Sequence, residues 1–315
     1  MSIKTVIGNF IRKLISPRAY RILRLRPIII PSYYKNIIEE VEKIIDIQQF
    51  DNTQEDEEVA MLLLRKYAHI IDKGLQRKDF KPGHSKIIFE QAKNSLSKIK
   101  SKHLREDASV VWSIEKLNDY ELRQKGSIDD NTNTEEIYAG SYDDLLVLMK
   151  NRRSARYYLK RTVENDVIEK VIEPINWASS SCNKQPIKVF ATNNSKLAKD
   201  CLDQCKGATG FGEYVPSFMA ICADMRGYVL PSEMYLPMID VSLGVQNSVL
   251  AVHTLGLSCT ILSWAQKDER EDKLLRELLE IPEHYAIIFN MAMGYPESNP
   301  PIPMRKSISS TLVFK

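Results

Sequence analysis

Apolar residues recur at helical spacing in the first part of the chain and in short continuous runs in the second. Ile37, Ile38, Val41, Ile44 and Ile45 share one helical face. After an acidic break over 46–58, the pattern predicts a helix over 58–75, a Pro82-Gly83 loop, and helices near 86–100 and 110–123. Gly74 fits a helix-ending position, and His69, Asp72 and Lys73 crowd the turn before it, either as a solvated helix end or as a polar cluster delivered to a site. A polar, acidic segment over 127–136, with Ile128 its one large apolar side chain, reads as linker. Past it, Ser141 stands three residues before Asp144 as the N-cap of a helix through 149. A second helix spans 166–178, bent or ended by Pro174. Short apolar runs over 188–192, 218–223 and 285–293 read as strands. A long apolar helix covers 237–257, with Gly256 near its end and an extended segment after it, and 268–279 is amphipathic. Strands separated by helices predict an α/β or α+β sandwich. The domains read as a mainly helical region 1–126, a linker 127–141 and a domain 142–315.

Composition narrows the class. The chain has 315 residues, enough for two domains with cores of their own. Its 43% hydrophobic and 27% charged residues are those of a soluble globular protein. A net charge of +3 is too small to make nucleic acid the main partner. Five widely spaced cysteines without a CxxC predict free thiols in a reducing compartment, hence a cytoplasmic location. The five histidines show no metal-ligand spacing, so no metal is expected. No run approaches the roughly 20 apolar residues of a membrane span. Within residues 1–30, however, Lys4, Arg12, Lys13, Arg18, Arg21, Arg24 and Arg26 alternate with apolar residues, and no acid precedes Glu39. This suits a basic amphipathic helix, either peripheral on an anionic membrane surface or packed on the rest of the protein.

Four segments carry chemistry. Arg152-Arg153-Ser154-Ala155-Arg156 places three guanidiniums and a hydroxyl in five residues. Arginine pairs with phosphate bidentately and stays charged, so the segment reads as an anion clamp or, more blandly, an exposed basic turn. Gly294-Tyr295-Pro296 precedes Pro300-Pro301-Ile302-Pro303-Met304-Arg305, whose prolines fix φ and could deliver Arg305 to a set place. The loop Ser179-Ser180-Ser181-Cys182-Asn183-Lys184-Gln185-Pro186 leaves backbone N–H groups approachable. Its Asn183 carboxamide donates and accepts at once, which matches the edge of a pyrimidine ring; a Ser/Asn turn opening a strand is the alternative. After Gly256, the run to Leu262-Ser263-Trp264 can aim a backbone N–H or a hydroxyl at a ligand edge. Trp264 either covers a planar ring or packs in the core, and Cys259 reads as buried. Gly207-Ala208-Thr209-Gly210-Phe211-Gly212 is not GxGxxG, and no P-loop or G-x-S-x-G elbow occurs.

In order and spacing these pieces resemble the nitroreductase family of FMN-dependent oxidoreductases, over roughly residues 142–312. The resemblance implies an α+β fold, a central mixed or antiparallel sheet flanked by helices, here preceded by a mainly helical N-terminal region. It also implies an intertwined homodimer with two FMN sites at the interface. NAD(P)H (NADPH or NADH) would be the donor, and hydride would pass through flavin N5 to a small acceptor by a ping-pong mechanism. Carried over by position, Arg152, Ser154, Arg156 and Arg305 would hold the phosphate and ribityl chain, with Arg153 contributing or facing away. Ser180, Ser181, Asn183 and Gln185 would lie around the isoalloxazine ring from the other subunit, and backbone near Leu262, Ser263 and Trp264 would approach N5. No catalytic acid or base is singled out. The chain departs from the family where Ser179-Ser180 replaces Ala-Pro-Ser, where Ile187 replaces an aromatic residue, where Ser263-Trp264 replaces Glu-Gly, and at Met304, which lacks a second positive charge. These departures keep two alternatives open: an FMN-dependent dehydrogenase or oxidase of a specific, polysaccharide-pathway or carrier-bound metabolite, or a membrane-associated flavin-binding scaffold without turnover.

Overall fold

The computed structural model describes residues 56–77, 79–126, 140–228, 233, 235–265 and 267–315. The helical face over 37–45, the basic segment 1–30 and the linker 127–136 lie outside the described residues.

Helix α1 (Glu57–Leu75) starts where the Asp56 carboxylate accepts from the N–H groups of Glu58 and Val59. Helices α2 (Lys86–Lys98), α3 (Lys102–Arg105) and α4 (Ala108–Gln124) follow. Leu64 and Ile71 of α1 meet Phe89 and Ala92 of α2 and Val110 and Leu117 of α4 in one small core. Phe89 stacks on Tyr120 there at 4.7 Å between centroids. Gly74 does not end α1. The helix runs to Leu75 and is capped by Gln76, while Gly74 is buried where a Cβ would sit 3.3 Å from the His84 ring. Its smallness therefore serves packing rather than a left-handed turn. Asp72 accepts from Gln76 and pairs with Lys116, as a solvated helix end does.

Helix α5 (Tyr142–Asn151) is capped by Ser141 as expected, its Oγ accepting from the Asp144 N–H at 3.3 Å. Helix α6 (Asn165–Ile172) tightens at Pro174 into a 3-10 turn, Glu173–Trp177. Then come β1 (Ile187–Thr192), α7 (Ser195–Leu202), β2 (Ser217–Asp224), α8 (Leu236–Thr254), β3 (Ser258–Ser263), α9 (Glu269–Leu279) and β4 (Tyr285–Gly294). The sheet order is β1-β2-β4-β3 and every pairing is antiparallel, which makes the fold α+β. All eight residues of β2 are buried because both faces of this central strand are covered. Phe218, Ala220 and Cys222 face a core shared with α7 and α9, and the alternate residues face the side where α8 packs.

Gly256 takes φ +74° after α8, and the N–H groups of Gly256 and Leu257 bond back to His253 and Val252. This is the paired capping that a left-handed residue permits, and it turns the chain sharply into β3. Helices α1–α4 belong to the same compact unit as the sheet. One tie is the Arg226 guanidinium, which pairs with Asp224 at 2.6 Å, Glu58 at 3.3 Å and also Asp56. Glu58, Asp224 and His284 also bring one potential ligand atom each within 4.8 Å of one another, but Arg226 engages both carboxylates. Burial and this guanidinium together pull the His284 pKa down. Among the described residues no helix is long and apolar enough to cross a membrane.

Candidate functional site

The arginine segment hangs beside β3 by side-chain hydroxyls. Ser258 Oγ donates to the Arg153 carbonyl at 2.8 Å and Thr260 Oγ1 to that of Ala155 at 2.7 Å. The buried Tyr158 hydroxyl lies 2.7 Å from the same Ala155 oxygen and 3.0 Å from Ala292 O, joining the segment to β4. Beyond it the chain pairs with the Gly-Tyr-Pro motif: Leu159 N donates to Tyr295 O at 2.8 Å and Glu297 N to Tyr157 O at 3.1 Å. Only glycine fits at 294, where a Cβ would stand 2.5 Å from the Pro216 ring and 3.0 Å from Tyr158.

So fixed, Arg152 and Ser154 line a cavity of about 340 Å³ whose other walls are Ser242, Val245, Gln246 and Val249 of α8, Cys259 and Ile261 of β3, and Phe289 of β4. Arg152 donates to Ser154 Oγ at 3.3 Å. Arg153 is directed elsewhere: its guanidinium donates to the carbonyls of Lys150 and Arg152 and so caps α5. Arg156 and Arg305 are exposed and are not among the residues lining this cavity.

At the end of β3, Leu262 and Trp264 are both buried in the core shared by α7 and α9. The Trp264 indole N–H donates to Asp272 at 2.9 Å, so the ring packs in the core. Ser263 is exposed between them. Burial pushes the thiols of Cys201, Cys205, Cys222 and Cys259 up to about 12, which keeps them protonated and inert near neutrality. Cys182 alone is exposed.

The serine loop is a tight construction with three left-handed residues, Cys182 (φ 51°), Asn183 (φ 55°) and Gln185 (φ 51°). Gln185 N donates to Ser180 Oγ at 2.8 Å, and Gln185 Nε2 to Asn183 Oδ1 at 3.0 Å. Beneath it, both oxygens of Asp240 on α8 accept from Ser181 N, at 3.0 and 2.9 Å. The Tyr228 hydroxyl donates to Asp240 at 2.8 Å, and burial followed by that carboxylate drives its pKa up. Lys184 is fully buried, with Nζ 2.7 Å from Glu233 and 4.1 Å from the Tyr228 ring centroid. From α1, Arg65 Nε donates to the Lys184 carbonyl at 3.0 Å. These supporting residues escaped the sequence reading. The signal was there for two of them: Asp240 is the one acid in a mostly apolar helix, and Arg65 stands in the run Met61-Leu62-Leu63-Leu64-Arg65.

Asn183 and Gln185 line a second cavity of about 730 Å³, walled by Met61 and Arg65 of α1, Trp112 of α4 and Trp177. Among the described cavities, none holds both the Arg152–Ser154 pair and the serine-loop residues.

The model of the family described as Nitroreductase matches residues 149–218 and 213–295, which takes in the arginine segment and the serine loop. An Archaeoglobus fulgidus protein provisionally named NADH dehydrogenase/NAD(P)H nitroreductase is 30% identical over 158 residues, covering 49% of this chain and 87% of that protein. FMN reductase [NAD(P)H] of Bacillus subtilis is 22% identical over 169 residues, covering 49% of this chain and 66% of its own. Among solved structures, one from Parabacteroides distasonis with the same provisional name as the archaeal protein shares 22% identity, covers 54% of this chain and 97% of its own, and has a TM-score of 0.48. With the matched residues spanning the sheet, α8, the arginine segment and the serine loop, this chain belongs to the nitroreductase family.

Proposed function

We propose that the protein is an FMN-dependent NAD(P)H oxidoreductase, working as a homodimer with each flavin held between two protomers. The carrying observation is the separation of the two half-sites: Arg152 and Ser154 line one cavity, and Asn183 and Gln185 another. The first cavity has the donor set a phosphoester needs, a guanidinium and a hydroxyl, beside apolar walls suited to a flat ring. Bound there, flavin would supply two-electron chemistry, accepting hydride from NAD(P)H and passing it to a small acceptor in ping-pong order. The chain's own residues would bind and orient. Arg152, with Arg156 and the tail residue Arg305, would hold the phosphate end, and Ser180, Ser181, Asn183 and Gln185 of the other protomer would border the ring. Backbone at 262–264 would approach from β3, with Ser263 the only one of those three side chains not buried in the core.

Unpaired apolar surface supports the dimer. Met238, Ile239 and Leu243 of α8 are 37–50% exposed, and the tail shows Ile302, Met304, Val313 and Phe314 to solvent. Complementation tests the composite site. Arg152→Ala/Ser154→Ala and Asn183→Ala/Gln185→Ala variants should each bind FMN poorly. Mixed and reassembled, they should regain about a quarter of wild-type flavin sites, because half the dimers would carry one intact site. No recovery in a mixture shown to contain heterodimers would place both halves in one protomer. In the domain division 1–126, 127–141 and 142–315, helices α1–α4 of the first region serve the flavin domain.

A further inference from the structure

We propose that Arg65, on the helical region that precedes the family-matched segment, is a positioning residue that holds the serine loop in its flavin-facing conformation; this rests on the flavin reading above. The loop needs holding. Three of its residues between 182 and 185 occupy the left-handed region; asparagine enters it readily, but Cys182 and Gln185 are held there only by their surroundings. Its internal bonds, Gln185 N to Ser180 Oγ and Gln185 Nε2 to Asn183 Oδ1, tie the loop to itself but not to the fold. External anchors do that: the buried Lys184 side chain, with Nζ 2.7 Å from Glu233, and two bonds to the loop backbone. Asp240 of α8 takes Ser181 N at the start of the loop.

Arg65 takes the other end. Its Nε donates at 3.0 Å to the carbonyl of Lys184, the residue between Asn183 and Gln185. Its NH1 reaches Ser109 Oγ at 3.3 Å, near the start of α4, so the guanidinium links loop, α1 and α4. The side chain is 8% exposed, which rules out a casual surface contact. A buried guanidinium aimed at a carbonyl gives a charge-assisted bond whose removal leaves that oxygen without its partner in a poorly hydrated place. Helix α1 is thereby coupled to the cofactor's ring end, which gives the helical region a task at the site.

Arg65→Met tests this, since it keeps an unbranched apolar stem and removes the donors. FMN is titrated into apoprotein by flavin fluorescence quenching, alongside Tm and the visible spectrum of bound flavin. Ile71→Val loosens the same helix without touching the loop and serves as the stability control. Binding should weaken about tenfold or more in Arg65→Met, with an altered flavin spectrum, whereas Ile71→Val should lower Tm and leave affinity unchanged. Arg65→Lys, which retains the charge and a single donor group, should fall between wild type and Arg65→Met and carries the same test if the methionine variant does not fold. Affinity within about twofold of wild type and an unchanged spectrum in the folded variant would overturn the role of Arg65. Wild-type protein that takes up no FMN would instead overturn the flavin reading on which it rests.

Discussion

Single residues decide the local geometry at both half-sites, and chemistry-bearing types were easier to read than supporting ones. Arg152, Ser154, Asn183 and Gln185 stood out in the sequence because their side chains suit phosphate and ring edges. Arg153 looked equivalent to its neighbours, and only the fold shows it capping α5. Trp264 offered two readings, and the buried Asp272 beside it selects the core. Burial raises the Asp272 pKa, but Lys267, Arg276 and the Trp264 N–H win and hold it at about 2, below its ordinary 3.8. Because the folded-state value is the lower one, the stabilisation is complete above about pH 4 and is lost as pH falls towards 2. Asp272→Asn should therefore cost about 3 kcal/mol near neutrality and flatten the acid limb of a fluorescence-monitored unfolding curve. An unchanged acid limb would contradict that assignment. At the clamp, Arg152→Ala/Arg305→Ala should purify without flavin, and full FMN occupancy would remove these arginines from the site.

At the level of elements, the hydrophobic pattern gave every helix from α1 onward longer than a few residues, apart from the short α7, and three of four strands. The fourth, β3, was legible only as an extended segment, since strand or loop depends on whether β4 lies alongside. Pro174 bent its helix as its missing N–H requires. Gly244, by contrast, gave no sequence signal. It sits inside α8 where Ile175 and Ile187 cross, and a Cβ there would stand 2.7 Å from Ile187 Cδ1 and 3.0 Å from Ile175 Cγ2. Alanine would gain about 1 kcal/mol of helix propensity and lose about 1–3 kcal/mol to overpacking. Gly244→Ala should therefore lower Tm modestly, and adding Ile187→Val, which removes Cδ1, should restore it. Thermal melts of the single and double variants check this, and two additive losses would mean that the contact is not the cause.

At the scale of the whole molecule, the family was legible from the order of motifs, whereas the place of the helical region was not. Its helices join the rest of the fold through Arg65 at the serine loop and through the Arg226 cluster, contacts separated by more than a hundred residues in sequence and set by no local pattern. The basic run in residues 1–30 motivates a separate proposal of peripheral membrane contact. Deleting 1–30 should abolish sedimentation with anionic vesicles, and unchanged sedimentation would rule that segment out as the anchor. The central claim concerns redox chemistry at the composite site. It is tested most directly by recording the visible absorbance of the purified protein and repeating it anaerobically after adding NADPH or NADH. An oxidised-flavin spectrum that bleaches on reduction is the expected result; a colourless protein that takes up no added FMN would contradict it.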